Sequence, residues 1–235
     1  GGGGGGEEWR ASCETLTRRL ADEVSRSNEK PFRHIRFNSL ELEELNYASL
    51  LHDFGKVGVR EEVLLKANKL YPWEMSGIEA RSRRAALQVM LEEHRQHTDG
   101  NRIGLLERDL ALVRTLNKPG RSPTRGERDR LNQMVAEWEL HEHLSYEREP
   151  VLRKRDVTRL CIPYGSLDPD ERREIERHVE HTYDFLKAIP WTRDLKNVPE
   201  LAYCHHEKLD GTGYPRQLHR PDIPLGARLM AISDI

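Results

Sequence analysis

The chain has 235 residues, 38 of them basic and 40 acidic, for a formal net charge of −2, and 33% of its residues are charged. That balance excludes an electrostatic case for binding duplex nucleic acid or an anionic membrane surface, and it leaves any anionic ligand to local groups. No apolar run approaches the roughly 20 residues that span a bilayer. Cys13, Cys161 and Cys204 have no paired spacing, so the expectation is a reduced, cytoplasmic, membrane-free protein.

Gly1 to Gly6 reads as a tag or linker and is set aside. From Glu7 to about Val24, Trp9, Cys13, Leu16, Leu20 and Val24 recur at helical spacing, which predicts an amphipathic helix. It contains no histidine, so core packing is a better reading than a ligand-bearing role. Ser25 to Pro31 breaks it. Asn38, with Glu41 three residues on, predicts a capped second helix whose stripe is Leu42, Leu45, Ala48 and His52, with Gly55 as the stop. An unpaired imidazole on a buried stripe is costly, and His52 is followed by Asp53 and, one turn later, Lys56.

Val57 to Leu70 reads as a loop and short helix with Lys66 and Lys69 exposed. Ile78 to Leu116 reads as one or two long charged helices, 118–126 as a turn, and Glu127 to about Tyr146 as helix again. Together they predict a charged helical hairpin inserted at about 78–160. Its His94, His97, His141 and His143 lack accompanying carboxylates and are assigned to a solvated face. Pro150 to Ser166 reads as irregular or short strand.

Asp168 and Pro169 open a further helix with Ile175, His178, Thr182, Phe185 and Ile189 on one stripe. His178 is the candidate ligand, and His181, about 60° to the side, is a flank. Leu201 to Glu207 predicts a helix carrying His205 and His206, which would point about 100° apart and would serve one site only if it holds more than one ion or a substrate. Asp210-Gly211-Thr212-Gly213-Tyr214-Pro215 cannot propagate a helix and is a shaped loop. A final helix carries Ala227, Ala231 and Asp234. The chain stops one residue later, which suggests a C-terminally truncated domain.

Imidazoles and carboxylates converging from several helices suit a hard or borderline divalent metal. A carboxylate can bridge two ions, which lower the pKa of a shared water for in-line attack on phosphorus, and Lys56 suits a non-bridging phosphate oxygen. No nucleophile beside a base and no phosphate-binding glycine loop of the Walker type occurs, so direct water attack is the economical mechanism.

The set HDFGK at 52–56, a lone core His178, HHE at 205–207, DGTGYP at 210–215 and a late Asp234 resembles the HD-GYP family, a branch of the HD-domain phosphohydrolases. The resemblance runs over about 39–70 and 167–235. It implies an all-α helical bundle, residues 7–235 with the inserted hairpin, that hydrolyses cyclic di-GMP to the linear dinucleotide, with further cleavage to GMP left open. By resemblance the metal ligands are His52, Asp53 (the bridge), His178, His205, His206 and Asp234, and Lys56 contacts phosphate. The loop residues Asp210, Gly211, Gly213, Tyr214 and Pro215 lie beside substrate and are implicated in docking a diguanylate cyclase domain. Family members with three ions carry Glu and His on the preceding helix. Here that helix has Glu14 and Glu23 but no histidine, so two ions, iron or manganese, are expected. The insertion could serve a homodimer. The competing readings are a non-catalytic module that binds the dinucleotide or a cyclase, and a hydrolase for another cyclic dinucleotide.

Overall fold

The computed structural model describes residues 5–96, 101–141 and 148–234. The chain is mostly helical, as the sequence leads one to expect. In order it forms α1 (Gly5–Arg26), α2 (Ser39–Leu51), α3 (Glu61–Leu64), α4 (Pro72–Gln96), α5 (Arg102–Leu116) and α6 (Arg125–Glu137). Then come β1 (Glu139–His141) and β2 (Arg148–Pro150), followed by α7 (Lys154–Leu160), α8 (Pro169–Glu176), α9 (His178–Lys187), α10 (Val198–Tyr203) and α11 (Leu225–Ser233). A 3-10 turn at Phe54–Gly58 follows α2.

Residues up to 61 and from 173 onward form one unit, and Glu62–Arg172 the other. In the first, Ala21 and Val24 of α1, Leu45 and Ala48 of α2, Leu186 of α9, Ala202 of α10 and Leu229 and Met230 of α11 share one core. Local signals set its helix starts. Asn38 Oδ1 accepts from the N–H groups of Leu40 and Glu41 at 2.9 and 3.0 Å, and the Glu41 carboxylate accepts from Asn38 N–H at 2.8 Å. Such a reciprocal cap contributes about 1 kcal/mol. The buried Glu44 of α2 accepts from the backbone N–H and the side-chain amide of Asn197, which fixes the start of α10 against α2.

Several expectations change here. Gly55 does not stop α2, which ends at Leu51; it lies in the 3-10 turn. A Cβ on it would sit 2.0 Å from the His178 carbonyl oxygen and 2.6 Å from Thr182 N, so its bareness serves close packing. The helix capped by Asp168 breaks at Arg177, and His178 opens α9. On α9 Phe185 is exposed at 42% and stacks on Phe54, while Leu186 takes the buried place. α10 ends at Tyr203, so His205 and His206 lie in the turn beyond it rather than on a helix.

In the second unit Ile78, Ala85 and Val89 of α4, Leu106, Val113 and Leu116 of α5, Leu131 and Met134 of α6, and Val157 and Leu160 of α7 share a core of their own. The charged segment is therefore the outer face of helices with a buried stripe, and it holds more than a helical pair. α6 ends at Glu137, where β1 pairs antiparallel with β2, Leu140 opposite Glu149. The stretch read as irregular contains α7, whose first turn is closed by the Asp156 carboxylate accepting from Arg153 N–H at 2.9 Å. Lys66 and Lys69, expected on the surface, are buried. Lys66 Nζ pairs with Glu171 at 2.6 Å, and Lys69 Nζ donates to the carbonyls of Arg121 and Leu160. A buried ammonium is tolerated only with such partners. His94 is exposed as expected, whereas His97 and His143 lie outside the described residues.

Candidate metal centre

The first unit brings His52, Asp53, His178, His205, His206 and Asp234 to one place. His52 caps the C-terminal end of α2, Asp53 precedes the 3-10 turn, His178 starts α9 and Asp234 follows α11. Thr182, on α9 one turn after His178, ties these elements together. Its hydroxyl donates to the His52 carbonyl at 2.9 Å and accepts from Gly55 N–H at 2.8 Å. Nothing in the sequence gave Thr182 this role beyond its place on the His178 stripe.

Three imidazoles are oriented alike. Nδ1 of His52, His178 and His205 lies 2.7, 2.6 and 2.6 Å from the carbonyl oxygens of Ser49, Ile175 and Ala202. A carbonyl can only accept, so each Nδ1 carries the proton and each Nε2 presents a lone pair. Those lone pairs face oxygens: His178 Nε2 is 3.3 Å from Asp53 Oδ1, and His52 Nε2 is 3.2 Å from Asp234 Oδ1 and 3.4 Å from Asp53 Oδ2. His178 Nε2, His205 Nε2 and Asp53 Oδ1 are buried and have no hydrogen-bond partner in the structure. Acceptor facing acceptor in a dry site costs about 1–3 kcal/mol per orphaned group unless a cation or proton lies between.

The electrostatics follow. Burial first, then His206 and His52, push the His205 imidazole well below its ordinary range. His206 is pushed down to about 3 by burial and then by His178. Burial alone would raise the Asp53 carboxyl, but the contact with His178 and the charges of His52 and Lys56 hold it far below the usual carboxylate range. Burial would likewise lower His52, and Asp234 and Asp53 reverse it, so that ring is raised. The neutral His205 and His206 with an ionised Asp53 are in the protonation state that divalent-metal ligation requires, and His52, raised by its carboxylates, would release a proton on ligating a cation. Ligand atoms of His178, His205 and His206 lie within 4.8 Å of one another, and so do those of His52, Asp53 and His205. The donor set therefore fits a metal ion, and the residues sit close enough for a carboxylate to be shared.

The site has a closed side and an open one. His52 and His178 side chains are 3% and 1% exposed, whereas Asp234 and His206 are 23% and 26% exposed and Lys56 38%. Lys56 Nζ lies 2.7 Å from Asp53 Oδ2, on that open side.

The 210–215 loop reaches the centre through one residue. The Tyr214 ring stacks on His206 with centroids 4.7 Å apart. Gly213 passes so close beneath the histidine turn that a Cβ would lie 2.3 Å from Lys208 N and 2.6 Å from the His206 carbonyl oxygen. Asp210 and Gly211 stay within the loop. Asp210 Oδ1 accepts from Thr212 N–H and hydroxyl, and Gly211 takes a φ of 78°. Pro215 follows Tyr214 through a cis bond. Glu207 pins the loop, its buried carboxylate accepting from the N–H groups of Arg216 and Leu218 at 2.7 and 2.9 Å. The sequence motif contained Glu207, but the role depends on a loop ten residues away.

Residues 155–235, which carry His178, His205, His206 and Asp234, match the family model described as an HD domain. A probable cyclic di-GMP phosphodiesterase of Vibrio cholerae is 61% identical over 83 residues, 32% of this chain and 18% of that protein. The cyclic di-GMP phosphodiesterase response regulator RpfG of Xanthomonas campestris is 37% identical over 86 residues, 34% of this chain and 22% of the relative. A 3'3'-cGAMP-specific phosphodiesterase 2 of V. cholerae is 37% identical over 86 residues, 34% of the chain and 16% of the relative. The chain thus spans about a fifth of the length of these curated relatives. Among the described residues no helix is long and apolar enough to cross a membrane.

Proposed function

We propose that this chain hydrolyses cyclic di-GMP to the linear dinucleotide by direct attack of water. The observation that carries the reading is the set of buried, unpartnered Nε2 and carboxylate atoms of His178, His205 and Asp53 beside the exposed ammonium of Lys56. His52, Asp53, His178, His205, His206 and Asp234 would hold two ions, iron or manganese, with Asp53 shared between them. Such paired ions, when bound, supply Lewis acidity to water and to phosphate oxygens. Lys56 is free to swing from Asp53 toward a non-bridging phosphate oxygen on the open side. Tyr214, stacked on His206, shapes the wall against which the dinucleotide lies. The backbone carbonyls that fix three imidazole tautomers keep the lone pairs aimed inward without reorganisation.

Three relatives named as 3'3'-cGAMP-specific phosphodiesterases favour a second reading, in which the preferred substrate is that mixed cyclic dinucleotide. One experiment separates them: the metal-loaded, reduced chain is given cyclic di-GMP, 3'3'-cGAMP and cyclic di-AMP in turn, and the products are resolved by chromatography. Cleavage of cyclic di-GMP to the linear form supports the proposal. Preference for 3'3'-cGAMP supports the second reading, and metal bound without cleavage of any of them would leave a binding module instead.

A further inference from the structure

We infer that Cys13 is a thiolate ligand at the His52–Asp234 end of the centre, which makes that end a position for a thiophilic divalent cation. The inference rests on the metal-centre reading and extends it to a residue on α1. Cys13 is 5% exposed, and its Sγ lies with a ring nitrogen of His52 and a carboxylate oxygen of Asp234 in a set of atoms all within 4.8 Å of one another. That is the spacing of donors that can share an ion.

Independent signs point to a ligand there. Thr17, one turn along α1 and 1% exposed, sets its hydroxyl against the Cys13 thiol. Buried structural cysteines behave as small hydrophobes among apolar neighbours, yet this thiol lies beside the Asp234 carboxylate. His52 Nε2 also faces Asp234, 3.2 Å from its Oδ1. The Cys13 sulfur, the His52 ring nitrogen and the Asp234 oxygen are therefore three donor atoms within 4.8 Å of one another, a spacing that one cation can share. Sulfur is the softest donor in the set, so this end favours Zn²⁺, Fe²⁺ or Co²⁺ over Mn²⁺ or Mg²⁺, whereas the His178–Asp53 end has only nitrogen and oxygen. On binding, the Cys13 S–H proton passes to solvent and a sulfur–metal bond forms, with no change of oxidation state.

The test is anaerobic loading of the full chain with Co²⁺, read by the near-ultraviolet thiolate-to-cobalt charge-transfer band and by elemental analysis. Cys13→Ser should abolish the band and lower Zn²⁺ retention by about tenfold or more, while Cys161→Ser and Cys204→Ser leave the band intact. Circular dichroism of Cys13→Ser and Cys13→Ala establishes that folding is unchanged, and Co²⁺ should slow alkylation of Cys13 in the native chain. A band that survives Cys13→Ser, or cobalt bound without any band, overturns the inference while the metal centre stands. Failure to bind cobalt or any divalent ion overturns both.

Discussion

The two units of this chain treat buried polarity in opposite ways. Among the described residues of 62–172 the most deeply buried charges have partners: Lys66 with Glu171, Lys69 with two carbonyls, Arg81 with the Val151 carbonyl and Asp156, and Asp109 with Arg130 and Trp138, although Glu93 keeps one carboxylate oxygen without a hydrogen bond. In the other unit His178, His205 and Asp53 bury atoms that have none. Satisfied buried polar networks fix a packing, whereas unsatisfied ones are costly unless something else fills them. The contrast teaches where to look for chemistry. The inserted segment is rich in charge, and the orphaned imidazole nitrogens of His178 and His205 lie outside it.

Substitutions on either side can break this contrast. The largest effect is expected for Asp53→Ala, which removes the shared carboxylate. Turnover of cyclic di-GMP should fall below about one thousandth of the native rate while the folded circular dichroism spectrum is kept. Retained activity would remove Asp53 from the centre. In the second unit, Glu171→Gln leaves Lys66 charged and buried without its counter-ion. Urea unfolding should show a loss of about 3–5 kcal/mol in stability, with metal content per folded chain unchanged.

A glycine pair sharpens the same comparison at smaller magnitude. Gly55→Ala drives a Cβ against the His178 carbonyl and Thr182 N. It should cost about 1–3 kcal/mol and loosen metal binding, because it pushes on the turn that carries Asp53. Gly126→Ala in α6 meets nothing within 4 Å and should leave both quantities unchanged or raise stability slightly.

The pH dependence of the metal-free chain has a definite sign. His206 has a folded value of about 3 against an ordinary 6.5, and His205 is also lowered. Within that window the unfolded chain binds more protons, so stability is present above pH 6.5 and is lost as the pH falls toward 3. The lowered Asp53 carboxyl adds loss in the same direction at the acid end, and the raised His52 opposes it in part. Thermal unfolding midpoints of the chelated protein should therefore decline from pH 7 to pH 4, and more steeply than those of His206→Gln. A flat profile would contradict the neutral-imidazole assignment.

Much of the fold was legible because its signals are local. Asn38 with Glu41 and Asp168 with Glu171 announce helix starts within four residues, and the structure has both caps. His52, Asp53, His178, His205, His206 and Asp234 could be gathered from their pattern, and they do converge. What was not legible depends on partners far along the chain. The burial of Lys66 requires Glu171, 105 residues away. The turn at His205 and His206 is shaped by the 213–218 backbone that Glu207 holds. The bend before His178 and the β1–β2 pair carry no strong local signature. Cys13 was passed over because its helix was searched for histidine, although a thiol can serve the same end.

The central claim is that the orphaned atoms of the first unit are a metal centre. Its most direct test is elemental analysis of the chain, loaded with iron or manganese under reducing conditions and desalted, alongside His178→Ala and His205→Ala. The account predicts about two ions per native chain, at most about one in either variant, and no change in a His94→Ala control. Native protein that retains no metal, or variants that retain as much as the native chain, would contradict it.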